Sequence, residues 1–82
     1  MKTISVRVNG SLVEMLGASR LTLQLPQQAT VADLVQELSR RHPQTTDLLA
    51  RAVAVAGGKH IEPSTVLTDN QEVALLLPIA GG

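Results

Sequence analysis

Alternation of apolar and polar residues predicts two strands that each bury one face, at residues 4–8 and 21–25. Two further apolar runs, residues 52–56 and 72–77, are short enough to be strands. The last run ends at Pro78, because proline cannot continue a central ladder. The chain therefore carries at least four strand segments.

One stretch has the spacing of an amphipathic helix, from residue 31 to about residue 41. Thr30 is suited to cap it, and Asp33 places a carboxylate at the positive end of the helix dipole. Pro43 stops it, and Glu37 and Arg41 form a favourable pair four residues apart. One stripe should pack on a sheet, formed by Val31, Leu34, Val35 and Leu38.

Two shorter helical segments are also predicted, at residues 11–17 and 46–51. Asn9-Gly10 alone would suggest a hairpin, but the residues after it favour a short helix. Ser11 is the expected N-cap, Glu14 completes a capping-box pattern, and Gly17 lies just past the helix end.

The remaining connections are turns. Gly57-Gly58 predicts a two-residue turn into a short edge segment, residues 59–62, that ends at Pro63. Residues 68–71 make the last turn before the final strand.

The order of elements predicts an α+β fold of the β-grasp kind. It has a mixed sheet with one main helix packed across a single face. We expect the first two strands to pair antiparallel and, by analogy with that fold, the last strand to lie beside the first. The 82 residues then form a single domain, residues 1–82, with residues 77–82 as a flexible tail.

Composition narrows the possible functions. Apolar residues make up 44% of the chain and none is aromatic, so the core must be aliphatic. Seven basic residues balance seven acidic ones, which gives no broad field and, without aromatic side chains, no platform for stacking bases. Nucleic-acid binding is therefore not expected. The absence of cysteine excludes a thioester or persulfide on the chain itself.

The start of the chain lacks the apolar core of a signal peptide, and no apolar run is long enough to span a membrane. These features predict a cytoplasmic protein that does not associate with membranes.

No motif indicates an active site or a metal site. Gly57-Gly58-Lys59 resembles the end of a phosphate-binding loop, but Val53 and His60 occupy positions where that loop needs glycine and a hydroxyl residue. His42 and His60 have no cysteine or carboxylate at ligand spacing. We expect no bound metal or cofactor.

The final residues carry the strongest functional signal. Gly81 and Gly82 lack side chains, so they can form a thin thread that enters a narrow active site. This suits a terminus that is itself the reacting group, although small residues also collect at chain ends by chance or through truncation.

The last strand divides its residues between two faces. Val73, Leu75 and Leu77 are predicted to face the core, which leaves Ala74 and Leu76 on the open face. Leu76 would form an apolar patch at the root of the tail, together with Pro78 and Ile79. A single exposed leucine is also common without any function.

The fold order and the ending together resemble the ubiquitin-like sulfur carriers, most closely the small subunit of molybdopterin synthase, the MoaD family. The resemblance is carried by residues 12–17, by residues 30–34 and above all by residues 67–82. The thiamine-pathway carriers, the ThiS family, are similar at Thr30-Val31 and at residues 79–82. They usually pass from the first strand to the second through a tight turn, so the added helix at residues 11–17 favours molybdopterin synthase.

The resemblance implies a mechanism in which the catalytic groups belong to partners. A MoeB-like, E1-like enzyme would use ATP to adenylate Gly82, and a persulfide donor would supply sulfur for a thiocarboxylate. A MoaE-like large catalytic subunit, in a heterotetramer, would accept the tail and pass the sulfur to a pterin precursor. Insertion would involve Gly81, Ala80, Ile79 and Pro78, and docking would involve Leu76 and Ala74.

Two other classes remain open. A ubiquitin-like protein modifier would join Gly82 to lysines as an isopeptide, using the same thread and the same activation. A plain scaffold domain would need neither Gly81 nor Gly82.

Overall fold

A computed structural model describes residues 1–78 of the chain. The elements follow the predicted order: β1 Lys2–Val8, α1 Ser11–Leu16, β2 Arg20–Leu25, α2 Val31–Arg41, a 3-10 turn Pro43–Thr45, α3 Thr46–Arg51, β3 Val53–Ala56, β4 Lys59–His60 and β5 Gln71–Leu76.

The strands form one mixed sheet in the order β2-β1-β5-β3-β4. β1 pairs antiparallel with β2 and parallel with β5, while β3 pairs antiparallel with both β5 and β4. The first and last strands therefore lie side by side at the centre, as the fold analogy predicted. This confirms the ubiquitin-like β-grasp fold.

The core lies between the sheet and α2. The two central strands contribute Ile4, Val6, Val73 and Leu75, which are almost completely buried. The helix contributes the predicted stripe, of which Val35 is the half-buried member and the others are buried. Each buried aliphatic side chain stabilises the fold by about 1.5 to 3 kcal/mol, so a core without aromatic rings suffices at this size.

Reciprocal hydrogen bonds begin α2 at the predicted residue. Thr30 Oγ1 accepts from the backbone N–H of Asp33 at 3.3 Å, and Asp33 Oδ2 accepts from the backbone N–H of Thr30 at 2.9 Å. Two N–H groups that the helix leaves unpaired are thereby satisfied.

The predicted start of α1 is wrong. Ser11 is the first helical residue, the cap position is Gly10, and no side chain bonds to the helix start. Gly10 has φ 57° and ψ −139°, a conformation that residues with a Cβ atom rarely adopt, so the turn out of β1 requires glycine there. The predicted end is confirmed, since Gly17 is left-handed with φ 79°.

A buried lysine opens β1, and the hydrophobic pattern did not reveal it. Lys2 is 1% exposed, and its Nζ donates to the carbonyl oxygens of Gln27 at 2.8 Å, Ala29 at 3.1 Å and Leu67. The ammonium has three donors, and each one has an acceptor. Lys2 thus ties the segment before α2 to the segment before β5.

The elements near the end of the sheet lie close to their predicted positions, and the turn between β3 and β4 has the expected conformation. Gly57 and Gly58 both have positive φ, of 59° and 78°, which suits the two-residue hairpin between β3 and β4. The final strand begins one residue earlier than predicted, at Gln71, and ends at Leu76.

None of the helices within residues 1–78 has the length and apolar character needed to cross a membrane.

Candidate functional site

The face of the sheet opposite α2 carries a small apolar cluster. Val53 lies opposite Leu76 and Val55 lies opposite Ala74 in the β3–β5 pair, and all four side chains are half-buried. We call these four residues the open-face patch. The predicted division of β5 is confirmed, because Val73 and Leu75 are buried on the other side.

A depression of about 410 Å³ adjoins the open-face patch. Val55, Ala74 and Leu76 form its apolar side, and the β3–β4 turn forms one end. Because Gly57 and Gly58 carry no side chains, nothing rises from that turn to fill the depression. The open face can therefore receive a side chain from another molecule.

Charged residues border the depression on the side of β1. The carboxylate of Glu72 lies 3.8 Å from Arg7 Nη1 and 3.3 Å from Arg20 Nη2. Both arginine side chains are more than half exposed, at 58% and 61%, so these pairs contribute little stability. Two guanidinium groups around one carboxylate leave this border net positive, which suits a partner with acidic residues beside an apolar centre.

The chain leaves the sheet through a fixed residue, Leu77. Its backbone N–H donates to Asn9 Oδ1 at 2.7 Å, and Asn9 Nδ2 donates to the carbonyl oxygen of Leu77 at 3.4 Å. The Leu77 side chain is half-buried against the core. A depression of about 350 Å³ lies beside it, lined by Leu48, Arg51, Leu77 and Pro78.

The structure brings together only some of the predicted site residues. Ala74 and Leu76 share the open face, whereas the exposed Pro78 lines the depression beside Leu77. The other predicted tail residues, Ile79, Ala80, Gly81 and Gly82, lie outside the described residues. The predicted patch joins Leu76 to Pro78 and Ile79. In the described residues Leu76 instead belongs to a cluster with the valines of β3, and Pro78 is not part of it.

Sequence reasoning missed Val53, Val55 and Asn9. The alternation of valine and alanine along residues 53–56 was a usable signal for the two valines, because it puts both on one face of β3. Nothing near Asn9 in the sequence indicates a contact with a residue 68 positions away.

Among the described residues, the groove between α2 and β3 carries no side chain that could act as an acid, a base or a nucleophile. It has a volume of about 520 Å³ and is lined by apolar residues, Gln36 and Pro63, with no titratable side chain. Within residues 1–78, no three histidine, cysteine, aspartate or glutamate side chains are grouped closely enough to hold a metal ion. We take the open-face patch and the anchored Leu77 as the candidate site, because Leu76 and Leu77 directly precede the C-terminal residues that carry the strongest sequence signal.

Solved structures from archaea and bacteria share this fold. Small archaeal modifier protein 1 of H. volcanii has a TM-score of 0.87 and 17% identity, with 96% of this chain and all of that chain covered. The putative molybdopterin converting factor subunit 1 of Pyrococcus furiosus also has a TM-score of 0.87, with 18% identity and the same coverage. At these identities the likeness establishes the fold alone.

A more distant structure is the protein–protein complex of subunits 1 and 2 of the molybdopterin-converting factor from Helicobacter pylori 26695. It matches with a TM-score of 0.68 and 17% identity, over 98% of this chain and 99% of that chain. Comparison with curated protein sequences gives no match.

The sequence itself provides the family. The sequence model of the ThiS family matches residues 6–82, which include the whole sheet apart from the first residues of β1, all of the helices and the final glycines. The chain therefore belongs to the ThiS family and is a ubiquitin-like sulfur carrier of the MoaD/ThiS type.

Proposed function

We propose that the chain is the sulfur-carrying small subunit of a molybdopterin synthase. The observation that carries this choice within the family is α1, Ser11–Leu16, which separates β1 from β2. Thiamine-pathway carriers, by the resemblance to that family, usually have a tight turn at this point. The likeness to the Pyrococcus furiosus and Helicobacter pylori proteins supports the choice.

The proposed reaction begins at the carboxylate of Gly82. A carboxylate is a poor electrophile, so an E1-like partner first converts it with ATP into an acyl-adenylate. The terminal sulfur of a persulfide then attacks the carbonyl carbon and AMP leaves. Cleavage of the remaining S–S bond by a thiol gives the thiocarboxylate. The ATP site and the persulfide belong to partners, and this chain binds no cofactor of its own.

Docking brings the loaded tail to the acceptor. The open-face patch would pack against a large catalytic subunit, with Leu76 and Ala74 near the centre and the arginines of β1 and β2 at the border. Ile79, Ala80 and Gly81 would follow Pro78 into that subunit, where the sulfur of Gly82 attacks a pterin precursor. We place these reactions in the cytoplasm.

The deciding experiment is the intact mass of the protein purified from its native cells, with the peptide that contains Gly82 sequenced by fragmentation. A fraction heavier by one oxygen-to-sulfur exchange, located on Gly82, is the expected result. A variant that lacks Gly82 is the control. Its core residues all lie between Lys2 and Leu77, so it should fold normally, and it should show no oxygen-to-sulfur exchange.

Growth phenotypes separate the two sulfur pathways. Cells that carry only the shortened chain should lose the activity of molybdopterin-dependent enzymes and should not require thiamine. A thiamine requirement with normal molybdopterin would assign the chain to thiazole synthesis instead.

A protein modifier is the second candidate function, because the small archaeal modifier protein 1 is as similar in structure as the converting factor. This alternative predicts Gly82 linked to lysines of other proteins, which the same mass spectrometry would detect. If Gly82 were found in isopeptides and no thiocarboxylate were detected, the chain would be assigned as a protein modifier and not as a synthase subunit.

A further inference from the structure

The amide side chain of Asn9 holds both backbone polar groups of Leu77. It accepts from the N–H at 2.7 Å and donates to the carbonyl at 3.4 Å, in a partly buried position. A primary amide offers one acceptor and one donor side by side, so it can pair with a residue of a strand much as a neighbouring backbone would. The anchor is thus made by a side chain and not by the sheet.

The backbone cannot provide these bonds because the ladder ends too early. The β1–β5 register runs only to Val8 opposite Leu75. Immediately afterwards Gly10 turns the chain away into α1. Asn9 lies between the last paired residue of β1 and that turn. Its side chain therefore adds a contact at Leu77, two residues beyond Leu75, where the β1–β5 pairing ends.

Packing supports the same position. A Cβ atom added at Gly10 would lie 3.6 Å from Leu77 Cδ1, so the leucine side chain rests over this glycine. Leu77 is followed by Pro78, whose ring fixes its own φ and disfavours the helical region for the residue before it. Fixing Leu77 therefore also sets the direction of the chain as it leaves the fold.

We infer that Asn9 is a positioning residue that sets the direction in which the C-terminal segment is presented to the partner that activates it. This rests on the proposed function. Gly82 is the fifth residue after Leu77, so chain length alone limits the reacting carboxylate to at most about 18 Å from the anchor. Over so short a reach, the direction at the anchor limits where Gly82 can go.

Without the hydrogen bonds from Asn9, the C-terminal segment has more conformational freedom, which the partner must restrict on binding. The Asn9→Ala variant should therefore raise the KM of an E1-like adenylating enzyme from the same organism for this chain. The expected increase is about 2- to 12-fold, the range for losing one hydrogen bond of ordinary strength. The kcat should not change, because Asn9 touches none of the reacting atoms.

The test measures ATP–pyrophosphate exchange by that enzyme as a function of carrier concentration. Gln44→Ala is the matched control, since Gln44 Nε2 also donates to a backbone carbonyl at 3.4 Å, that of Met15, away from Leu77. It should leave KM unchanged. Asn9→Asp keeps the acceptor for the Leu77 N–H but loses the donor, so it should fall between the wild type and the alanine variant.

Hydrogen exchange at the Leu77 amide gives a readout independent of activation. Asn9→Ala should speed exchange at Leu77 and leave Val73 and Leu75 protected, because those two residues lie within the sheet. Thermal unfolding of each variant confirms that kinetics are compared on folded proteins.

The outcomes separate the two proposals. Faster Leu77 exchange with an unchanged KM would overturn the positioning role and leave the sulfur-carrier function intact. A fall in kcat at constant KM would also overturn it. A wild-type chain that no E1-like enzyme adenylates would overturn the proposed function and the presentation role together, and the exchange data would then show only whether the anchor exists.

Discussion

Val53 and Leu76 face each other across the β3–β5 pair, on the side of the sheet that α2 does not cover. Both are half-buried, so each keeps apolar surface in contact with solvent. Their neighbours Val55 and Ala74 extend the same surface along the two strands. A partner that covered this cluster would remove its apolar area from water, which is the main source of affinity at protein interfaces.

The first prediction concerns this surface. Leu76→Glu should weaken binding to the large subunit at least 10-fold, as expected for a charge placed in an apolar contact centre. It should cost no more than about 1 kcal/mol of folding stability, because the side chain already touches solvent.

Calorimetric titration and thermal unfolding measure the two effects of Leu76→Glu. Thr22→Glu is the matched control, since Thr22 is exposed on the same face of the edge strand β2. A large loss of melting temperature for Leu76→Glu would mean that the role of Leu76 is structural.

The second prediction concerns the buried lysine. Lys2→Met keeps the approximate length of the side chain but removes the donor to the carbonyls of Gln27 and Leu67. The carbonyl of Ala29 keeps one hydrogen bond, because it also accepts from the Leu67 N–H. The loss should be about 2 to 4 kcal/mol of unfolding free energy. Lys59 is the other lysine of the chain and is exposed, so Lys59→Met should change the free energy of unfolding by less than about 0.5 kcal/mol. Urea unfolding would decide, and equal effects of the two substitutions would contradict the role assigned to Lys2.

The third prediction is a pH dependence from α2. Hydrogen bonds from Arg40, and then from Arg41, lower the pKa of Glu37 from 4.5 to about 2. A carboxyl group with a lower pKa in the folded state stabilises the fold above the unfolded pKa of 4.5, and this contribution disappears as the pH falls towards 2.

Glu37→Gln should therefore flatten the decline of stability between about pH 4.5 and pH 2, the window set by the two pKa values of Glu37. Stability measured by urea unfolding at several pH values gives the comparison. The same slope in the wild type and the variant would show that the arginines do not hold this carboxylate in solution.

The fourth prediction concerns the turn before β5. Asn70 has φ 64°, and its N–H donates to the carbonyl of Thr3 at 2.8 Å. Asn70→Ala should cost about 1 kcal/mol, because alanine is disfavoured in the left-handed region, whereas Asn70→Gly should be close to neutral. Thermal unfolding of both variants distinguishes this effect from a loss of side-chain contacts, which would penalise glycine as much as alanine.

β1, β2 and α2 could be predicted because each buries one face. The alternation in β1 and β2 and the 3.6-residue spacing in α2 record burial directly, so residues such as Val6, Leu23 and Leu34 were assigned to the core correctly. The pairing of β1 with β5 came from analogy with the fold and was also correct.

Contacts between distant residues could not be predicted from local pattern. Lys2 is buried because three backbone carbonyls converge on it, from Gln27, Ala29 and Leu67. Ser11 looked like a cap because its residue type is right, but the turn out of β1 needs the backbone freedom of Gly10. The role of Gly82 still rests on the family, since residues 79–82 lie beyond the described part of the chain.

The central pairing of β1 with β5 has a consequence for how the protein folds during synthesis. Ile4 pairs with Gln71, so the middle of the sheet joins parts of the chain that the ribosome makes far apart in time. Such long-range pairing slows folding because a large loop must close before the contacts form. The nascent chain can build α2 early, but it exposes the apolar face of β1 and β2 until β5 emerges, and it is most open to aggregation and proteolysis during that interval.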